Sequence, residues 1–167
     1  MLPEEEERDE RLMGLALEQA ERCLAWADVP VGAVVARGDE VLAAAGNSRE
    51  RFQDPTAHAE VLALREAARR AGTWRLTGCE LFVTLEPCAM CAGALVLARV
   101  ERLVFGAPDP KAGFVGSLGD LARDPRLNHR LRVVAGVRAE EASAQLRAFF
   151  AARRNAPHVG PQERSGA

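Results

Sequence analysis

The sequence contains neither a hydrophobic run long enough to cross a membrane nor a basic leader ahead of an apolar stretch. A membrane-spanning helix needs about 18 consecutive apolar residues, and no such run occurs in the 167 residues. A secretory signal begins with basic residues, whereas this chain has four consecutive glutamates at positions 4–7. We therefore expect a protein that works in the cytoplasm and has no membrane partner.

Cysteine and histidine are scarce, and their positions narrow the possible kinds of site. The chain has four cysteines and three histidines, and a reducing cytoplasm disfavours a disulfide framework. Cys23 lies on the apolar stripe of a predicted helix and Cys79 starts a predicted strand, so both are interpreted as packing residues. The C-x-x-C spacing of Cys88 and Cys91 instead favours a metal or redox site.

A strong net charge is also absent. The formal net charge is -2, which by itself does not indicate a nucleic-acid partner. Residues 1–30 hold nine acidic and three basic side chains, whereas residues 111–154 hold four acidic and nine basic ones. The basic C-terminal third would attract phosphate groups. It would equally form the solvated surface of a helix, and charge alone does not decide between these two interpretations.

The hydrophobic pattern predicts an α/β protein. Its length suits one domain, which we assign to residues 1–154, followed by a disordered tail over 155–167 that is rich in proline and glycine. Alternation of strands and helices after an opening hairpin predicts three α/β/α layers, with a central five-stranded mixed sheet and helices on both faces. Trp26 and Trp74 are interpreted as packing residues. The predicted helices are 9–27, 55–70, 87–99 and 139–154, and the predicted strands are 31–36, 41–45, 81–85, 102–105 and 131–134.

Two short segments carry chemistry at predicted helix starts: His58-Ala59-Glu60, after the helix-start signal Asp54-Pro55-Thr56, and Pro87-Cys88-Ala89-Met90-Cys91. Helical residues three apart share a face, so Cys88 and Cys91 can bind one ion together, whereas His58 and Glu60 point differently. One imidazole and two thiolates suit zinc, with a fourth position open to water. The positive end of a helix also favours the thiolate form of cysteine.

Zinc at this position would serve hydrolysis. The ion lowers the pKa of a bound water toward about 7, and Glu60 could then move protons from that water to a substrate nitrogen and to the leaving amine. Taken alone, a C-x-x-C pair could instead be half of a zinc knuckle, a redox pair or two core cysteines. A structural zinc site would need a fourth protein ligand, and neither His129 near a loop end nor His158 in the tail is a natural one.

The combined pattern matches the H-x-E…P-C-x-x-C signature of zinc nucleobase deaminases. From about residue 9 to 154 the chain resembles the cytidine deaminase superfamily, and within it the bacterial tRNA adenosine deaminases. Residues 29–34, 54–60, 83–94 and 104–107 carry this resemblance, and the first two stretches are shared with many relatives. The stretches that point more narrowly to the tRNA enzymes are Gly116-Ser117-Leu118, Asn128-His129-Arg130, Phe149-Phe150 and Arg153-Arg154.

This resemblance implies a role for each matching residue. His58, Cys88 and Cys91 would bind one zinc ion per subunit, Glu60 would shuttle protons, and Asn47 would hydrogen-bond the target nucleoside. The implied RNA contacts are Asp109, Lys111, Asn128, Phe150, Arg153 and Arg154. The family further implies a homodimer without a nucleotide cofactor. It would bind a tRNA anticodon stem-loop and deaminate the wobble adenosine of an arginine tRNA with anticodon ACG, by attack of hydroxide on C6.

Several alternatives stay open at this point. Asn47 could be a turn residue, one of the adjacent Phe149 and Phe150 could belong to the core, and the Arg153-Arg154 pair could be solvated charge. The chain also departs from the family in the loop after residue 107, where prolines flank Asp109 and bulky residues occupy positions 114 and 115. Two rival functions are a deaminase of free guanine, cytosine or cytidine, and a non-catalytic zinc-binding editing subunit. The second would lack the shuttle glutamate that this chain has.

Overall fold

The sheet at the centre of the protein has five strands, and the computed structural model describes residues 2–156. The strands are arranged in the order β2-β1-β3-β4-β5. Strands β1 and β2 form an antiparallel hairpin, β1 and β3 are also antiparallel, and β3, β4 and β5 are parallel. The predicted mixed five-stranded sheet is therefore confirmed. The strands are β1 (Gly32–Arg37), β2 (Glu40–Gly46), β3 (Glu80–Leu85), β4 (Arg102–Ala107) and β5 (Arg132–Ala135).

Helices cover both faces of this sheet, as predicted. Neighbouring strand residues alternate between faces, so Val34 packs with the core under α1 and α5, whereas Val35 packs with the core under α3 and α4. All six residues of β4 are buried, as expected for a parallel strand covered on both sides. The helices are α1 (Pro3–Arg22), which continues as a 3₁₀ turn over Cys23–Trp26, then α2 (Arg49–Phe52), α3 (Ala59–Ala71), α4 (Ala89–Leu97) and α5 (Ala139–Arg154).

The first helix packs directly on the backbone of β1. A Cβ atom added at Gly32 would lie 1.9 Å from the carbonyl oxygen of Ala16 and 2.6 Å from the nitrogen of Ala20. Only glycine allows this approach, because any side chain would have to push the helix away from the sheet. The contact fixes α1 against the strand that follows the loop at residues 28–31, beside the candidate site described below.

A buried ion cluster joins α1 to the sheet at the opposite end. The Arg102 guanidinium, 1% exposed, donates to Asp9 Oδ1 at 2.8 Å, to Glu80 Oε2 at 2.7 Å and through its second amino group to Asp9 Oδ2. Arg8 also pairs with Glu80 at 3.1 Å. Both partners of the Arg102–Asp9 pair are thus withdrawn from water, and loss of Arg102 would leave the Asp9 carboxylate buried without a cation.

The structure corrects several predicted element boundaries. Asp54-Pro55-Thr56 does not start α3, because Asp54 Oδ1 accepts hydrogen bonds from the Thr56 amide at 2.8 Å and its hydroxyl at 2.7 Å. This Asx turn delays the helix to Ala59. Likewise α4 begins at Ala89 and not at Pro87, α1 begins at Pro3, and the short α2 was not predicted. Gly72 ends α3 in the left-handed region at φ 71°, near the predicted stop.

No helix within residues 2–156 is both long enough and apolar enough to span a lipid bilayer. Helix α5 ends at Arg154, as the sequence predicts. The tail predicted over 155–167 lies outside the described residues from position 157 onward, and His158 lies there with it.

Candidate metal centre and active site

The candidate metal ligands lie at the N-termini of two neighbouring helices. His58 is the residue immediately before α3, Cys88 is the residue immediately before α4, and both have extended backbone angles. Neither side chain makes a capping hydrogen bond, so the imidazole and the thiol are available for other partners. Cys91, three residues after Cys88, lies in the first turn of α4 and is buried.

The distances between these side chains fit a tetrahedral zinc ion. His58 Nδ1 lies 3.6 Å from Cys88 Sγ and 3.5 Å from Cys91 Sγ. Zinc bonds of about 2.0–2.1 Å to nitrogen and 2.3 Å to sulfur, at a tetrahedral angle, place the two ligand atoms about 3.6 Å apart. The donor atoms of the three residues all lie within 4.8 Å of one another, and the cluster that they form does not include Glu60. This set leaves a fourth coordination position for a non-protein ligand.

The electrostatics of the cluster favour a metal cation. The pKa of Cys88 is lowered to about 3, because the Cys91 thiol and then the His58 ring donate hydrogen bonds to its sulfur. The same hydrogen bond, together with burial, raises the pKa of Cys91. Interaction with the Cys88 thiolate raises the pKa of His58, despite burial. One thiolate is therefore already present at neutral pH, and a cation that binds here would displace the proton on Cys91.

Glu60 lies next to this cluster and lines the same cavity as His58 and Cys88. It is 4% exposed, and burial raises the pKa of its carboxyl group. No lysine or arginine within the described part of the chain forms an ion pair with it. A buried carboxyl group with a raised pKa and no fixed cation is suited to accepting and releasing a proton.

Asn47 connects the cavity to the start of α3. Its side-chain Oδ1 accepts a hydrogen bond from the Ala59 amide at 2.9 Å. Its side-chain NH₂ group makes no hydrogen bond within the described residues and remains available at the cavity wall. Trp26, interpreted from the sequence as a packing residue, donates its indole N–H to the Asn47 carbonyl at 2.7 Å. The tryptophan thus positions Asn47, and no local sequence signal indicated this contact.

Asp28 and Arg49 form an ion pair at the cavity wall that the sequence did not reveal. Asp28 is fully buried, and its Oδ1 accepts hydrogen bonds from Arg49 Nη2 at 3.1 Å and Nε at 3.3 Å. Its Oδ2 accepts from the Glu50 amide at 3.1 Å. These bonds hold Arg49 beside the candidate site. The cavity has a volume of about 160 Å³ and is lined by Val29, Val31, Asn47, Arg49, His58, Glu60, Leu85, Glu86, Cys88, Asp109 and Ala112.

The six predicted RNA contacts divide into two groups. Asp109 lines the cavity, whereas the other five lie outside its wall. Asp109 Oδ1 also accepts from the amides of Lys111 at 3.0 Å and Ala112 at 3.2 Å, so this side chain shapes its own turn. The remaining five, all of them exposed, are Lys111, Asn128, Phe150, Arg153 and Arg154.

The aromatic pair of α5 behaves as its sequence suggested. Phe149 is 8% exposed and belongs to the core, whereas Phe150 is 44% exposed. The Arg153 guanidinium lies 5.3 Å from the centre of the Phe149 ring.

The structure contradicts the packing role predicted for Trp74, because this side chain is 58% exposed. It lines an apolar groove between α3 and α4 and does not pack in the core.

Comparison with known proteins agrees with this geometry. The family described as the cytidine and deoxycytidylate deaminase zinc-binding region matches residues 6–107. A tRNA-specific adenosine deaminase of Bacillus subtilis is 50% identical over 143 residues, which cover 86% of this chain and 89% of that protein.

Solved structures show the same relationship. One structure, from studies of A-to-I editing by tRNA deaminases at the wobble position of transfer RNA, has a TM-score of 0.79 and 40% identity, covering 81% of this chain and 99% of that chain. A guanine deaminase from Nitrosomonas europaea has a TM-score of 0.71 and 30% identity, covering 85% and 84% of the two chains. On its sequence, its fold and its zinc-binding region, the chain belongs to the tRNA-specific adenosine deaminase family of zinc-dependent deaminases.

Proposed function

We propose that this chain hydrolyses adenosine to inosine at the wobble position of an arginine tRNA with anticodon ACG, and that it does so in the cytoplasm. One observation carries the proposal: the cluster of three candidate zinc ligands adjoins a cavity that Glu60 and Asn47 line, in a chain 50% identical to a tRNA-specific adenosine deaminase. We assign this activity to a single deaminase domain over residues 1–154.

In this proposal His58, Cys88 and Cys91 hold the zinc ion. When bound, zinc supplies Lewis acidity that lowers the pKa of a coordinated water. Glu60 lies close enough to the cluster to line the same cavity, and its raised pKa suits a group that changes protonation state during each turnover. We assign to Glu60 the movement of the two protons of the attacking water: its carboxylate takes one and passes it to the N1 atom of adenine, and it then passes the second to the amine at C6, which leaves as ammonia.

Asn47 and Arg49 would orient the nucleoside. The free NH₂ group of Asn47 offers a hydrogen-bond donor at the cavity wall, where a flipped nucleoside would enter. Because Oδ1 of the same residue holds the first amide of α3, any shift of Asn47 would also move His58 and Glu60. Binding of the nucleoside and placement of the proton-transfer group are therefore coupled through one side chain.

The exposed candidates would contact RNA around the flipped base. An anticodon loop is single-stranded, so its bases can be unstacked and read on their edges. Asp109 and Lys111 lie on the loop beside the cavity, and Arg153 and Arg154 at the end of α5 offer positive charge to phosphates. Asn128 and the half-exposed Phe150 supply a polar and a stacking surface for neighbouring nucleotides.

A second copy of the chain would cover the apolar groove between α3 and α4. This groove includes Trp74 and Leu97, which are 58% and 69% exposed. Exposed apolar surface of this kind is typical of an interface between subunits. In light scattering, Leu97→Glu should shift a dimer toward the monomer, whereas Leu24→Glu, at an exposed leucine outside the groove, should not. A monomeric wild-type protein would contradict the homodimer.

The decisive experiment compares substrates for the zinc-loaded protein. It is incubated with an ACG anticodon stem-loop, with the same stem-loop carrying guanosine at the wobble position, and with free guanine, cytosine and cytidine. Inosine at the wobble position, detected by mass spectrometry, supports the proposal. Ammonia from free guanine alone would instead favour the activity of the guanine deaminase neighbour. No turnover of any substrate would favour a non-catalytic subunit, despite the presence of Glu60.

A further inference from the structure

A single buried carboxylate holds the loop that follows β4. Glu86 lies between the last residue of β3 and the zinc-ligand turn, and is 3% exposed. Its Oε1 accepts hydrogen bonds from the Asp109 amide at 3.1 Å and the Ser117 hydroxyl at 2.5 Å. Its Oε2 accepts from the amides of Val115 at 3.0 Å and Ser117 at 3.1 Å. All four donors belong to residues 109–117, which we call the substrate loop.

The substrate loop lies directly on this carboxylate. A Cβ atom added at Gly113 would lie 2.3 Å from Glu86 Cδ, so the backbone passes too close to the carboxyl group for any other residue at this position. The same stretch reaches the metal centre, because the Phe114 amide donates to the Pro87 carbonyl at 2.9 Å and Gly113 forms a bridge with Cys88. The loop thus accommodates its two bulky residues, Phe114 and Val115. The amide of Phe114 bonds to Pro87, and Val115 is buried with its amide among the four donors to Glu86.

Because the buried Glu86 side chain is charged, its burial depends on the hydrogen bonds that the substrate loop donates. No lysine or arginine within the described residues forms an ion pair with Glu86, and a buried charge without a counterion needs hydrogen-bond donors. A carboxylate accepts hydrogen bonds on both oxygens, whereas a glutamine side chain accepts on one and donates on the other. Closure of the loop and burial of the charge therefore stabilise each other.

We propose that Glu86 is a positioning residue that fixes the substrate loop against the zinc cavity. It is not a zinc ligand, and the loop that it holds carries Asp109 and Lys111. Resting on the proposed function, this inference assigns to Glu86 the placement of those two side chains relative to the flipped adenosine. It also gives the Gly116-Ser117-Leu118 segment a physical role, because Ser117 supplies two of the four donors.

The expected effect is on substrate binding more than on the chemical step. In Glu86→Gln, an NH₂ group replaces one acceptor oxygen and faces two donors of the loop, so the loop should open. We expect KM for the stem-loop to rise about 10- to 100-fold. The value of kcat should fall less than threefold, and the zinc content should remain one ion per chain. A purely structural role would lower the amount of active protein without raising KM.

Hydrogen exchange on the zinc-loaded protein tests the loop without any substrate. The amides of Asp109, Val115 and Ser117 should be protected in the wild type and exchange at least tenfold faster in Glu86→Gln. The matched control is Asp120→Asn, which makes the same chemical change at a carboxylate that holds only the Arg123 side chain and amide. This control should leave the three amides and KM unchanged.

Ser117→Ala provides a second route if Glu86→Gln folds poorly. It removes the hydroxyl donor to Glu86 and should accelerate exchange at the Asp109 amide. In the Glu86→Gln background the same change should add less than half of its effect on KM, because the two groups act through one contact. Wild-type protection in both single variants, or fully additive effects, would overturn the inference. A wild type that makes no inosine would refute the proposed function instead, while the exchange data would still decide the role of Glu86.

Discussion

The buried pair of Arg102 and Asp9 allows a quantitative test of how the sheet and α1 are held together. Each side chain is 1% exposed, and Arg102 also donates to Glu80. Arg102→Met would leave the Asp9 carboxylate buried without a cation, whereas Glu80 would keep Arg8 as a partner. Breaking one side of a buried pair costs about 3–5 kcal/mol. For a chain of this size that corresponds to a fall in Tm of about 6–20 °C.

The assay is urea unfolding for the free energy and thermal unfolding for Tm, both followed by circular dichroism with zinc saturating throughout, because a bound ligand adds its own stability. Asp9→Asn in the Arg102→Met background removes the unpaired charge, so it should recover part of the lost free energy. Arg126→Met, at an exposed arginine paired with Asp124, should leave Tm almost unchanged. A loss of under about 1 kcal/mol in Arg102→Met, or further destabilisation on adding Asp9→Asn, would refute the assignment of the loss to an uncompensated charge.

Four further predictions concern the metal, the chemistry, the RNA and the response to acid. Zinc uptake at pH 7 should release at least one proton per chain, because the raised pKa keeps Cys91 protonated until a cation binds. Calorimetry in buffers of different ionisation enthalpy measures the number of protons released, and zinc binding without proton release would contradict the prediction. Glu60→Ala should retain one zinc per chain yet lower kcat by about 10²–10⁴-fold, and near-normal turnover would remove Glu60 from the mechanism. Replacing Arg153 and Arg154 by alanine should weaken stem-loop binding at low salt more than it lowers turnover at saturating RNA, whereas unchanged affinity would make the pair ordinary solvated charge. Although burial raises it, the pKa of Asp28 is lowered overall by the Glu50 amide and the Arg49 guanidinium. Its contribution to stability is therefore present above the unfolded pKa of about 3.9 and lost as pH falls through the lower folded value. Asp28→Asn should flatten the fall of Tm below about pH 4.

The layer structure was predictable because it depends on patterns that extend over many residues. Consecutive apolar residues of a strand, such as Val34 and Val35, point to opposite faces of the sheet. When both faces are apolar, helices must cover both of them. The start of α3 was not predictable in the same way. Asp54 could cap either a helix or a turn, and the choice depends on the Thr56 hydroxyl, whose position the sequence alone does not specify.

The candidate metal ligands could be predicted from the sequence because the spacing of Cys88 and Cys91 reflects local helix geometry and because His58 completes a recognisable motif. The residues that support them were missed because each acts across a long stretch of chain. Trp26 reaches Asn47 over 21 positions, and Glu86 reaches Ser117 over 31. Contacts between residues so far apart do not follow the periodicity of a helix or a strand. A tryptophan or a glutamate can also have other roles, so the residue type alone does not indicate the contact. Only the folded arrangement identifies their partners.

A spacing of two or of three residues along a helix decides whether a side chain joins the candidate metal cluster or lies beside it. After Cys88, Cys91 is three positions on and returns to the same side of the helix, where its sulfur joins the cluster. After His58, Glu60 is only two positions on, so its carboxylate lies beside the cluster and not among the donor atoms. Met90 occupies the equivalent two-residue step in α4 and is 38% exposed, whereas Glu60 is 4% exposed. Moving the carboxylate by one position would therefore bring it to the ligand side, and a closed four-ligand site has no position for the water that hydrolysis consumes.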